Sequence, residues 1–133
     1  MPEGVEWPGL GTEEYPYTGV FYGNNHTIDG LVSTYTSDAY NGFIHSLQGK
    51  VLNLTLGPNC SFTGGDYVGG ICGYNRGSII NCCFTGTVTG WYVGGICGVN
   101  IGIIQNCCNV GTVSARGYGG GICYSNYSGS VSN

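Results

Sequence analysis

The stretch Tyr67-Val-Gly-Gly-Ile-Cys-Gly-Tyr-Asn-Arg-Gly-Ser-Ile-Ile-Asn-Cys-Cys-Phe-Thr-Gly-Thr-Val-Thr-Gly90 recurs as Tyr92-Val-Gly-Gly-Ile-Cys-Gly-Val-Asn-Ile-Gly-Ile-Ile-Gln-Asn-Cys-Cys-Asn-Val-Gly-Thr-Val-Ser-Ala115. Cys72 to Cys97, Cys82 to Cys107 and Cys83 to Cys108 are all separated by 25 residues. A third copy opens at Tyr118-Gly-Gly-Gly-Ile-Cys123, offset by 26, so one residue has entered near Ala115 to Gly117. A degenerate earlier copy runs from Gly42 to Leu54, with Gly49 on Gly77, Val51 on Ile79 and Asn53 on Asn81. It has Leu54-Thr55 in place of the cysteine pair, and Gly57-Pro58-Asn59 are extra.

Each copy holds three short β-prone runs separated by glycine, and no 3.6-residue period runs through it. Such strands cannot bury an apolar face alone. Equivalent strands stacked in parallel about 4.8 Å apart bury one continuous interior. The pattern predicts an all-β fold: a parallel β-helix of about four coils, near 25 residues and three strands each. The coils are expected at 42–65, 66–90, 91–116 and 117–133 (partial), after an N-terminal strand-rich cap or lead-in over 1–41. Because a left-handed hexapeptide pattern is missing, the right-handed form is expected. Identical residues should then form ladders: Ile71, Ile96 and Ile122 inward, Val88 over Val113, and Asn75 over Asn100 at a turn, where a side-chain amide ladder satisfies backbone groups.

Composition agrees. Of 133 residues 27 are Gly and only 8% are charged, while 41% are hydrophobic. So much Gly without a three-residue period excludes collagen, and the apolar content argues against disorder. Lys50, Arg76 and Arg116 are the only basic residues in a chain of net charge −4. Neither nucleic acid nor an anionic membrane is therefore expected as a partner. No apolar run is long enough for membrane insertion. The first eleven residues lack the basic start and apolar run of a signal peptide.

These repeats closely resemble the GLUG-motif repeat of bacterial secreted and surface proteins, which usually reads Gly-Gly-Leu-Val-Gly-x-Asn-x-Gly-x-Ile-x-Asn-Cys-Tyr-x-x-Gly-x-Val-x-Gly. The run Tyr17-Thr-Gly-Val-Phe-Tyr-Gly-Asn-Asn-His-Thr-Ile-Asp-Gly-Leu31 resembles that family's lead-in, and Asn41 to Leu56 its first full coil. The resemblance implies a solenoid in an extracellular or cell-surface setting, within large adhesin-like chains, some with attached peptidases. It carries no catalytic residues to transfer. Cysteine here stands where Val or Tyr is common.

The eight cysteines are Cys60, Cys72, Cys82, Cys83, Cys97, Cys107, Cys108 and Cys123. Cysteine is a small hydrophobe suited to a narrow core, and the favoured reading is a buried free-thiol ladder (Cys72, Cys97 and Cys123; Cys82 and Cys107). Cys82 and Cys83 point to opposite faces of a strand. Inter-rung disulfides such as Cys82–Cys107 come second, because their Cα atoms would be close enough although in-register side chains meet at an awkward angle. A metal or iron–sulfur site comes last, since Cys-x-x-Cys spacing is absent and no His or acid recurs beside the thiols.

Tyr67, Tyr92 and Tyr118 occupy equivalent positions, with Trp91 alongside, and Tyr74 and Tyr124 form a second line broken at Val99. This aromatic face either stacks on itself for stability, the favoured reading, or binds a glycan. Polysaccharide-cleaving sites need clustered carboxylates on one outer face. Past Glu14 only Asp29, Asp38 and Asp66 remain, no two on one face at neighbouring rungs. His26 and His45 have no acid at the equivalent place in the next coil, and no base is placed to activate a Ser or Thr. No enzyme activity, cofactor or metal is expected. The sequons at Asn25, Asn53, Asn59 and Asn126 read as turn residues.

The expected function is a structural or adhesive module of a bacterial surface protein, meeting a host or matrix component. A glycan-binding module is the alternative, and a fragment of a polysaccharide-active β-helix enzyme a more distant one. The final repeat stops short of its cysteine pair. Either the chain is a segment of a longer protein, or its open edge pairs end to end with another copy.

Overall fold

The computed structural model describes residues 5–34 and 39–132. The acidic Glu3 beside Pro2, Asp38 and the terminal Asn133 lie outside the described residues. Among those described, every regular element is a β-strand, and every pairing is parallel.

The lead-in holds β1 (Val5–Glu6), β2 (Val20–Ile28) and β3 (Leu31–Ser33). The first coil holds β4 (Tyr40–Asn41), β5 (Ile44–Leu47), β6 (Lys50–Leu56) and β7 (Ser61–Thr63). The second holds β8 (Tyr67–Gly69), β9 (Cys72–Asn75), β10 (Ser78–Ile80) and β11 (Cys83–Phe84), and leads through β12 (Thr87–Gly94) into the third. There follow β13 (Cys97–Asn100), β14 (Ile103–Gln105), β15 (Cys108–Asn109) and β16 (Thr112–Gly120), then β17 (Cys123–Asn126) and β18 (Ser130–Ser132).

The chain is a parallel β-solenoid with three sheets around a shared interior. One is the stack β5, β9, β13, β17; another centres on β6, β10, β14; the third on β7, β8 and β12. The lead-in pairs in the same parallel sense, β2 under β6 and β3 under β7, and Leu10 and Tyr17 bridge to Ile44 and Leu47. The rungs therefore begin below the first recognisable repeat.

Register follows the 25-residue period. Cys72 pairs with Cys97 and Cys97 with Cys123; Ile79 pairs with Val51 below and Ile104 above. Ile71 and Ile96 are fully buried and Ile122 packs against the same cluster, so the isoleucine ladder lies inward as its apolar character requires. Val88 sits under Val113. The extra residue near Ala115 to Gly117 is absorbed as a register shift between Gly90 and Tyr92 of β12 against β16.

Two corners explain why particular residues recur. At one, Asn53, Asn81 and Asn106 all take left-handed backbone (φ 56°, 57° and 54°), which asparagine tolerates better than other non-glycine residues. Asn25 does the same at φ 61°, and Asn59 lies in the turn at 58–59, so of the four sequon asparagines two sit at left-handed bends and one in a turn. At the other, Gly49, Gly77 and Gly102 stack so closely that a Cβ on Gly77 would lie 1.9 Å from the carbonyl oxygen of Gly49. Inside that corner the asparagine ladder forms: the Asn75 amide donates to Asn100 Oδ1 (2.8 Å), and the Asn100 amide to Asn126 Oδ1 (2.9 Å). Asn75 Oδ1 accepts from the Gly77 N–H (2.9 Å), so the ladder closes backbone groups that bend out of the sheet.

Cysteine chemistry requires one correction to the free-thiol expectation. Cys83 and Cys108 form a disulfide between neighbouring rungs, with Cα atoms 4.6 Å apart, and the other six cysteines are free. The bond joins the outward members of the two Cys-Cys pairs, not Cys82 and Cys107. In-register parallel strands bring equivalent Cα atoms within disulfide range, and that proximity outweighs the awkward side-chain angle. Cys72 and Cys97 are fully buried, and each donates to the carbonyl two residues on, at 2.9 and 3.0 Å.

Candidate functional site

The aromatic face is the most developed side-chain cluster on the solenoid surface. Strands β8, β12 and β16 place Tyr67, Tyr92 and Tyr118 in register. Tyr67 and Tyr92 stack with centroids 5.0 Å apart and planes 21° apart; Tyr92 and Tyr118 stack at 6.1 Å and 7°. Tyr40 extends the ladder one rung downward, stacking on Tyr67 at 5.4 Å. Sequence comparison missed Tyr40 because Gly69 is an extra residue between Val68 and Gly70, so Tyr40 falls out of line when Gly42 is set on Gly70. The second aromatic line expected from Tyr74 and Tyr124 does not form: Tyr74 pairs with Val99 and Val99 with Ser125, while Tyr124, one residue earlier and over Gly98, leans from β17 onto Tyr92 at 4.7 Å.

This geometry decides what the ladder can do. A sugar stacks on an open ring face, and here the faces of Tyr67 and Tyr92 are turned toward neighbouring tyrosines along the axis. Each pair contributes about 0.5–1.5 kcal/mol, which makes the ladder a brace between coils. Burial and the adjacent phenols raise the Tyr67 pKa; burial first and then the Glu13 carboxylate push Tyr40 up to about 12. These two phenols stay neutral at physiological pH. Trp91 stands apart from the stack at the register shift, 45% exposed, with its indole over Gly117.

Three other groupings carry polar chemistry. His45, 3% exposed where the next two coils have Gly73 and Gly98, shares a cleft of about 110 Å³ with Glu13, Ala39 and Tyr40. Glu13 comes from the lead-in, so the one-coil alignment gave no sign of it. Asp29 is committed to structure: its two carboxylate oxygens accept from the Asn59 backbone N–H (2.8 Å) and side-chain amide (2.9 Å). Those bonds hold its pKa below the usual carboxylate value and pin the extra Gly57-Pro58-Asn59 segment. The inner thiols Cys82 and Cys107 donate to backbone carbonyls, Cys82 to Ile80 and Cys107 to Gln105, each at 3.4 Å. Interaction between the two thiols lowers the pKa of the more accessible Cys107 and raises that of the buried Cys82. Burial raises Cys97, and likewise Cys60 and Cys123. Among the described residues no group of three or more His, Cys, Asp or Glu side chains is placed to hold a metal ion. Among them, too, no helix is long and apolar enough to cross a membrane.

Comparison with known proteins agrees with this geometry. Residues 64–89 match the family model described as the GLUG motif. That span is the second coil, from the approach to β8 to the first three residues of β12. No curated protein and no solved structure matches the chain. The chain bears a GLUG motif on a repeat-based parallel β-solenoid, consistent with GLUG-family adhesin-like proteins.

Proposed function

We propose that this module is a rigid spacer in a bacterial surface or secreted protein, holding adhesive elements away from the cell. The observation that carries the reading is the unbroken in-register stack. Isoleucine, cysteine, asparagine and tyrosine ladders run through consecutive rungs on different sides of one interior. A rod braced on every side resists bending in a way that a flexible linker does not. An extracellular setting is supported by the GLUG motif and by the Cys83–Cys108 bond, which persists in oxidising compartments.

The test is a replacement. A binding domain is displayed on a bacterial surface through this chain, or through a Gly/Ser linker of equal length, and adhesion under flow is measured. The spacer role predicts a clear loss with the flexible linker; equal adhesion refutes it.

A further inference from the structure

We infer that the glycine corner between the β5/β9/β13 sheet and the β6/β10/β14 sheet is a binding groove for a carboxylate-bearing saccharide chain, held by Lys50 and Arg76. The groove is open, about 440 Å³, and runs up the axis past Gly49, Gly77 and Gly102. Those positions are glycine because the rungs meet there: a Cβ on Gly77 or Gly102 would run into the carbonyl oxygen of the glycine one rung below. Lys50 follows Gly49 on one rung; Arg76 precedes Gly77 on the next. The two cations thus lie diagonally across the groove, with Cα atoms about 8 Å apart from strand and rung spacings.

Two of the three basic residues in a chain of net charge −4 therefore line one groove, and its lining contains no carboxylate. Arg76 is held in place: its guanidinium carbon lies 5.2 Å from the Tyr74 ring centroid, a cation–π contact that limits its motion. Thr18, Gln48 and Ser78 add hydroxyl and amide groups along the rim. Both the guanidinium and the ammonium suit a carboxylate.

The choice of a saccharide rests on what the groove lacks. A peptide adding as a strand needs unpaired backbone N–H and C=O groups. Here the Arg76, Ser78 and Ile103 N–H groups already donate to the rung below, at 2.8 to 3.0 Å. The groove is open and shallow, and the exposed Val20 and Ile103 line it beside the polar groups. A nucleic acid carries more charge per unit length than two cations on an acidic protein can neutralise. A hexuronate chain carries one carboxylate per sugar and many hydroxyls, which matches two cations among hydroxyl and amide groups. The site lies on the middle rungs and is independent of the spacer role.

The experiment is calorimetric titration of the whole chain, at low salt, with tetrasaccharides of galacturonate, mannuronate, guluronate and hyaluronan. Methyl-esterified tetragalacturonate and poly-glutamate are the controls. The expected result is saturable binding of at least one acid tetrasaccharide, weakened about fivefold by Lys50→Ala or Arg76→Ala and lost in the double variant. Arg116→Ala, outside the groove, leaves binding unchanged. Both groove side chains are exposed, and unaltered circular dichroism melts confirm that the variants fold. The inference is overturned if no acid tetrasaccharide binds, if the ester or poly-glutamate binds equally well, or if the double variant binds like the parent.

Discussion

Replacing Asn75 by alanine removes three hydrogen bonds at once: those to Asn100 Oδ1 and the Ile103 carbonyl, and the one received from the Gly77 N–H. At a net value of about 1 kcal/mol each, the bonds themselves account for about 3 kcal/mol. The Gly77 N–H is left at a crowded corner without its acceptor, which adds about 1 kcal/mol or more. The total, about 4 kcal/mol, is a large part of the stability of a domain this size. Leucine at the same place separates packing from polarity. Leu47 occupies the equivalent position one rung down, where the Gln48 and Gly49 N–H groups instead donate to the Tyr17 carbonyl (2.8 and 2.9 Å). Asn75→Leu should fill the space but leave Gly77 unserved, losing about 2 kcal/mol. Urea denaturation followed by far-ultraviolet circular dichroism measures both, with Gln105→Ala, an exposed change on the next coil, expected within about 0.5 kcal/mol of the parent. The reasoning is refuted if Asn75→Ala costs under about 1 kcal/mol or if Asn75→Leu matches the parent.

Ile96→Ala should lower stability by about 2–5 kcal/mol through a cavity in the closed interior, and more than Ile122→Ala, whose site is only partly covered; the same denaturation series ranks them. The double variant Cys83→Ser/Cys108→Ser opens a 25-residue loop and should cost about 3 kcal/mol by chain entropy, read as a lower urea midpoint than the oxidised parent. Asp29 has a folded pKa below its unfolded value, so its contribution is complete above the unfolded pKa and is lost as pH falls through the folded one. The melting-temperature gap between the parent and Asp29→Asn should therefore close on acidification, and a gap that widens contradicts the Asn59 clamp. Cys107, whose pKa is lowered by the neighbouring Cys82, should alkylate at neutral pH well before buried Cys97, with mass spectrometry after timed iodoacetamide exposure giving the order.

How far the sequence could be read depended on whether a feature obeys the period. Ile71, Ile96 and Ile122 recur at matching places; Ile71 and Ile96 are fully buried and Ile122 is partly buried against them. Asn75 and Asn100 were placed at a turn for the same reason. Sidedness within Cys82-Cys83 follows from strand alternation, but which pair oxidises depends on how side chains approach between rungs, and one sequence does not encode that separately. Tyr40 was missed because one residue shifts it out of line. Lys50 and Arg76 stayed invisible as a pair because they flank aligned glycines on opposite sides, so no repeat position holds both. Glu13 near His45 joins segments with no common motif.

The register shift beside Trp91 has a wider consequence. An added residue there bulges outward, and Tyr118 is back on Tyr92 within a few positions. Errors of copying at that corner are thus confined to a single bend and do not propagate into the stack above. A gene for such a chain can lengthen or shorten by whole turns, and tolerate ragged joins between them, while every older turn keeps its packing. Reach becomes a heritable quantity that changes in discrete steps, uncoupled from whatever chemistry individual turns have acquired on their outer surface.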